Sequence, residues 1–269
     1  MDNFKSKYRY SLILFRELVI TDFKIRYQGS ALGYLWSLLR PLFMFGILYF
    51  VFVHFLRIGA GVEYWPVAML LGMVLWGFFS EVTSNGMNAI VSRGDVIRKI
   101  NFPKYVIILA SSASALINLL FNLIVIAVFM WVSGVDLHPV ALIAPFYVLE
   151  LLIFGIGLAF LLSVLQVYFR DTAYIWEIIS QALFYGSAVI YPVSVVIDQS
   201  AFLAKVLLLN PVAQSIQDVR HVLISDVNLT LTQLTSVWWM LVPAGIVVVT
   251  FIFGAWLFKK HSPNFAENI

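Results

Sequence analysis

Six stretches of the chain, near 37–56, 66–91, 105–132, 140–168, 173–191 and 237–258, are apolar over the length that a helix needs to cross a bilayer, about 20 residues. Segments of this kind leave few folds open. Hydrocarbon offers the backbone no water, so each crossing has to satisfy its own N–H and C=O groups, which a helix does internally. The composition agrees: 62% of the 269 residues are hydrophobic and 12% are charged, against about 25% charged in soluble domains. Without cysteine there are no disulfides and no thiolate metal sites, which leaves the compartment open. The start, MDNFKSKYRYS, is polar and runs into a helix interrupted by Arg16 and Glu17. No cleavable signal peptide is therefore expected, and the first span serves as the insertion signal. The expected fold is an all-α polytopic membrane protein, a single transmembrane domain over 1–269 with six transmembrane helices.

Six crossings put both termini on one side, and the basic residues indicate which. Of the 17 Lys and Arg residues, 14 fall on that side. They are Lys5, Lys7, Arg9, Arg16, Lys24, Arg26 and Arg40 ahead of or at the first span, Arg93, Arg98, Lys99 and Lys104 after the second, Arg170, and Lys259 and Lys260 in the tail. The opposite side keeps only Arg57, Lys205 and Arg220. By the positive-inside rule both termini are cytoplasmic.

The segments between spans carry distinct signals. Residues 8–29 read as an amphipathic interface helix: Leu12, Phe15, Val19, Phe23 and Tyr27 recur at helical spacing on one face, and Glu17, Thr21, Lys24 and Gln28 on another. Such a cationic, aromatic helix belongs in the headgroup layer, and Gly29 and Gly33 loosen the chain behind it. The loop at 92–104, SRGDVIRKINFPK, has room for one or two helical turns, the alternative being a charged loop that only sets topology. The tight YFRD turn at 168–171 holds an adjacent Arg–Asp pair, open to a local salt bridge or a docking role. In the long connection 192–236, residues 201–209 are apolar but too short to span, and Asn210-Pro211 breaks the run before an amphipathic piece at 213–224. That pattern fits short re-entrant outer helices before the last span, or a loop lying on the surface.

Charges inside a span are costly and default to functional candidates. Glu150 stands between Tyr147-Val148-Leu149 and Leu151-Leu152-Ile153, and Glu81 and Glu177 also fall within spans. For Glu150 a polar partner on another helix is an equal alternative. Arg40 reads as an interfacial charge at the end of the first span. Ser111, Ser114, Asn118 and Asn122 form a stripe suited to gluing helices together, and Gly155 and Gly157 to close packing. There is no phosphate loop, no nucleophile elbow and no H-E-x-x-H helix, and the four histidines share no ligand spacing. No catalytic residue, metal or cofactor is expected in this chain. Uphill transport would then draw on an ion gradient or on another subunit.

In this order the segments resemble the membrane (permease) subunit of type 2 ABC exporters, within them the permeases that export O-antigen, capsule or teichoic-acid polymers. The likeness covers essentially the whole chain. It rests on RYQGSALGYLWSLLRPL at 26–42, the loop at 93–104, YFRD at 168–171, IYPVSVV at 190–196 and the Asn210-Pro211 pair. The resemblance implies a homodimer in the bacterial inner or plasma membrane with two copies of a separate ABC ATPase, which holds the ATP and Mg. It implies a glycan cargo linked to undecaprenyl diphosphate, with no nucleic acid involved. The interface helix and the 92–104 loop would couple to the ATPase, through Arg16, Glu17, Arg93, Asp95, Arg98 and Lys99. Lys24, Arg26 and Arg40 would meet the carrier's headgroup at the entrance. Aromatic rings of the first and fifth spans, with Tyr34, Trp36, Tyr49, Phe184 and Tyr185 as candidates, would line the channel. An outer gate would occupy 193–225, flanked by Tyr191 and Pro192 and broken at Asn210 and Pro211.

Two other readings share part of these features. A type 2 exporter of drugs or another lipid would have the same topology. An intramembrane enzyme acting on lipid-linked sugars would need acids converging in one cavity, for which Glu81, Glu150 and Glu177 are the candidates.

Overall fold

The apolar runs fold as helices, and no strand occurs among the described residues of the computed structural model. It describes residues 2–27, 33, 35–59, 61–100 and 102–268, with the backbone alone at 2–10, 23 and 25–27. A long first helix, α1 (Asp2–Tyr27), precedes α2 (Leu35–Leu48), which contains Pro41 and runs on into π-helical turns at Tyr49–Phe55. Next come α3 (Trp65–Ala89), the short α4 (Gly94–Lys99), α5 (Tyr105–Val132) and α6 (Ala144–Tyr168). The 14-residue α7 (Thr172–Tyr185) is followed by α8 (Val193–Gln199), α9 (Ala201–Leu208) and α10 (Pro211–Leu223). The chain closes with α11 (Leu231–Leu234), α12 (Leu241–His261) and α13 (Phe265–Asn268).

Helix α3 is the axis of the molecule. It packs along α5 on one side and α6 on another, α12 covers the far side of α6, and α10 is inserted against α3 and α6. Small residues set these distances. A Cβ on Gly86 of α3 would lie 2.5 Å from the Cβ of Ala159 on α6, and one on Gly155 would lie 2.9 Å from Val82. At the α6–α12 crossing a Cβ on Gly157 would lie 2.7 Å from the Phe251 Cα, and Gly254 abuts the Gly157 carbonyl. Gly155 and Gly157 thus permit the close approach that their place in the sequence suggests.

Among the described residues, five stretches are helical, long and apolar enough to cross a membrane: Leu35–Phe55, Trp65–Ala89, Tyr105–Val132, Pro139–Tyr168 and Val237–Asn268. The run expected to be a fifth span, 173–191, differs. Only α7 forms there, about 21 Å long against about 30 Å of hydrocarbon. The helix stops at Gly186, and Ala188 takes the left-handed conformation at φ 50°, which cannot continue a right-handed helix. An apolar count does not register that break.

Helix α1 lies along α5; of the stripe that the spacing picks out, Phe15 and Val19 are half-buried and the Phe23 and Tyr27 side chains lie outside the described residues. Leu14 and Leu18 pack into a cluster with Ile107 and Ile108, while Leu12 stays 71% exposed. Asp22, one turn beyond Leu18, sits on the same side and pairs with Arg93, which orients the helix.

Candidate functional site

Helix α10 carries more polar chemistry into the protein than any sequence signal announces. Asn210 caps it: its Oδ1 accepts from the Val212 N–H at 3.0 Å, Pro211 fills the first turn, and its Nδ2 donates to Ser187 Oγ at 2.9 Å. The cap therefore ties the start of α10 to the broken segment after α7. Eleven of the helix's 13 residues are buried, among them Gln214, Ser215, Gln217, Asp218 and Arg220. Buried polar groups need partners, and most of these have them.

The acidic side of α10 faces α6. The Gln214 amide donates to Asp218 one turn on, and Glu150 of α6 lies close enough to both to interact with them electrostatically. Glu150 therefore has polar neighbours on another helix.

The basic side points elsewhere. Arg220, two residues and about 200° of helix rotation from Asp218, donates from Nε to the Ala68 carbonyl at 2.8 Å, and from Nη1 to the Ala188 carbonyl and Gln217 Oε1, each at 2.8 Å. Its Nη2 donates to the Val189 carbonyl at 2.5 Å, and the guanidinium carbon lies 5.1 Å from the Trp65 ring centre. The loop behind α10 folds back on it, with Gln217 Nε2 donating to the Leu229 carbonyl and His221 Nδ1 at 3.0 Å from that of Asn228. The sequence count placed Arg220 among loop cations; the structure buries it completely. The residues expected around the gate lie at the start of α10 and in the segment ahead of α8. Pro192 and Pro211 are buried, and Tyr191 donates from its hydroxyl to the Tyr185 carbonyl at 2.5 Å.

At the opposite end of α3 the chain builds a charged face. Asp95, Arg98 and Lys99 of α4 are exposed, as are Arg16 and Glu17 of α1, whereas Arg93 is half-buried in its pair with Asp22. Helix α4 is propped from below by the tail. Phe265 is buried with Ile97, Phe102 and Phe258. Lys104 donates to the Ser262 and Pro263 carbonyls and lies 5.8 Å from the Phe265 ring centre. Partial burial pulls the Lys104 ammonium below its ordinary pKa.

The remaining candidates are dispersed. Lys24 and Arg40 are exposed, and the Arg26 side chain and Tyr34 lie outside the described residues. Trp36, Tyr49 and Tyr185 are on the exterior of the single chain, while Phe184 stacks edge-on against Trp76 at 5.6 Å. Glu177 is exposed, and Glu81 accepts from Asn118 Nδ2 at 2.7 Å, a bridge between α3 and α5. Residues that sequence reasoning passed over are Gln214, Asp218, Arg220, Trp65 and Phe265. Their one legible trace is the polar spacing 214, 217, 218 and 221 in α10, which reads equally well as a solvated face.

The pattern of the family described as "ABC-2 type transporter" matches residues 13–224, from α1 through the end of α10. The chain belongs to that family. It is thus a multi-pass membrane transport subunit, and the matched region takes in both the charged α4 end and the inserted α10. Among ABC-2 relatives, an O-antigen export system permease protein RfbA of Myxococcus xanthus is 27% identical over 262 residues, 97% of each chain. One from Klebsiella pneumoniae is 27% identical over 267 residues, 98% of each chain. A second from Klebsiella pneumoniae is 26% identical over 226 residues, 83% of this chain and 85% of that one.

Proposed function

We propose that this chain is the permease subunit of an ATP-driven ABC exporter that moves a lipid-linked, O-antigen-type polysaccharide from the cytoplasmic to the outer face of the bacterial inner membrane. One observation carries the reading: the likeness to two O-antigen export permeases extends over 97–98% of this chain and of theirs. An isolated shared module would match only in part.

In this reading α7 and the segment behind it make the fifth of six passages, and the end bearing α1, α4 and α13 faces the cytoplasm. That assignment agrees with the excess of Lys and Arg there. Two copies of the chain enclose the passage. Two copies of a partner ATPase dock on the exposed charges of α4 and α1 and supply the ATP hydrolysis for which this chain has no phosphate loop. Lys24, Arg26 and Arg40 attract the carrier's diphosphate, and α8 to α10 form the outer gate.

The test is genetic and biochemical. Cells lacking the chain should keep finished, carrier-linked polymer on the inside, and the wild-type chain with its partner ATPase should return it to the surface. Surface polymer at wild-type level without the chain would sink the reading, and it is the result that an exporter of drugs or other lipids predicts.

A further inference from the structure

Arg220 is a full charge with 0% exposure, inserted among helices that bury apolar surface. Burying an ion is costly unless hydrogen bonds replace its water, and a lone intramembrane charge defaults to a functional candidate. Among the described residues its bonds go to three carbonyl oxygens and an amide oxygen, none to a carboxylate. The carbonyls come from two places far apart in sequence. Ala188 and Val189 lie in the break after α7, where left-handed Ala188 takes the backbone out of helical bonding. Ala68 lies in the first turn of α3.

The surroundings are shaped for this guanidinium. A Cβ on Gly72 of α3 would collide with Nη2, so glycine there is what admits the fork. Trp65, 1% exposed, stacks on the charge, and Gly59, at φ +84°, leaves room for the indole. A lysine could not repeat the arrangement, because a single ammonium lacks the planar fork that reaches three directions at once.

We propose that Arg220 is the positioning residue that locks the α8–α10 arm to α3, so that movement at the α4 end is delivered through α3 to the opposite end. Helix α3 runs 25 residues, about 37 Å, from Trp65 beside the lock to Ala89, with only Ile90 and the three-residue turn Val91–Arg93 between it and α4. Its one proline, Pro66, is in the first turn, where it does not kink a helix. The proposal rests on the roles given above to α4 and to α8–α10; the lock does not depend on what the cargo is.

The test uses the chain with its partner ATPase in lipid nanodiscs, with three variants: Arg220→Met, Arg220→Lys and Gly72→Ala. Because the chain has no cysteine, Val189→Cys introduces its one thiol, under the lock, where Val189 is fully buried. A soluble maleimide should label this thiol about tenfold faster or more with Arg220→Met or Gly72→Ala, and at an intermediate rate with Arg220→Lys. In the cysteine-free chain, polymer exported per ATP hydrolysed should fall by a similar factor in the first two variants and recover in part with Arg220→Lys. The Gly72→Ala/Arg220→Met double variant should be no worse than Arg220→Met alone, since both remove one interaction. Unchanged labelling in both single variants, or export per ATP at the wild-type ratio despite faster labelling, would overturn the proposal. If Arg220→Met does not assemble, Gly72→Ala decides, because it keeps every charge. A wild-type complex that hydrolyses ATP and exports no polysaccharide would defeat the cargo reading while labelling still judged the lock.

Discussion

Gly157 and Gly254 decide how α6 and α12 meet. Between membrane helices there is little hydrophobic gain in leaving lipid, so close backbone contact through small residues carries the association. Gly157→Leu would drive a side chain into the Phe251 backbone, which has no rotamer to yield with. Gly46 of α2, with no neighbour within 4 Å of its would-be Cβ, is the control. We expect Gly157→Leu to cost about 3 kcal/mol or more, seen as a melting temperature several degrees lower in detergent, while Gly46→Leu melts within error of wild type. Equal melting of the two would mean that the α6–α12 crossing is not set by glycine. Asn210→Ala, which removes both the α10 cap and the Ser187 bond, should cost about 1–2 kcal/mol.

At the scale of elements, α4 is six residues long and cannot hold its shape alone. Asp22 grips Arg93 just ahead of it, and Phe265 of α13 packs under Ile97 within it. Two substitutions separate its support from its surface. Phe265→Ala should loosen α4 and cost about 3 kcal/mol, read as faster amide hydrogen exchange over 94–99. Arg98→Glu with Lys99→Glu should leave exchange there unchanged but weaken co-purification of the partner ATPase, because only the exposed charge is reversed. Wild-type association and export in the double reversal would reduce this loop to a topology signal. The same scale shows what was legible in the sequence. Long apolar runs and the basic helix before them are visible because a bilayer imposes a length and because periodicity marks a face. The end of α7 is not, since left-handed Ala188 is chosen by tertiary contacts that no alanine advertises. Nor is the burial of α10. Its Gln214, Gln217 and Asp218 look solvated, yet Gln214 pairs with Asp218 and Gln217 with Arg220 inside the helix, and the Leu229 carbonyl reaches Gln217 from the loop behind it.

At the scale of the whole molecule, the proposed function takes two copies of the chain. None of α2 is buried, and an apolar groove of about 440 Å³ runs along it, lined by Leu42, Phe43, Gly46, Ile47, Phe50 and Val51. Such a surface suits lipid or a second copy, and it cannot on its own wall off a passage for a hydrated polymer. A passage between two copies needs walls that replace part of the sugar's water without holding it. Aromatic faces meet that need, since each stacking contact contributes about 1 kcal/mol and the cargo must also leave. Trp36, Tyr49 and Tyr185 are rings on the exterior of one chain that could face such a passage, whereas Phe184 is already engaged with Trp76. We therefore expect Trp36→Ala, Tyr49→Ala and Tyr185→Ala together to lower export about tenfold or more while dimer assembly and basal ATP turnover persist, because inside the chain only partly exposed ring contacts, Tyr49 on Phe45 and Tyr185 on Phe184, are lost. Phe184→Ala should instead lower the melting temperature, because it empties a packed contact. Export at wild-type level in the triple variant, with the dimer intact, would return those rings to the lipid-facing belt.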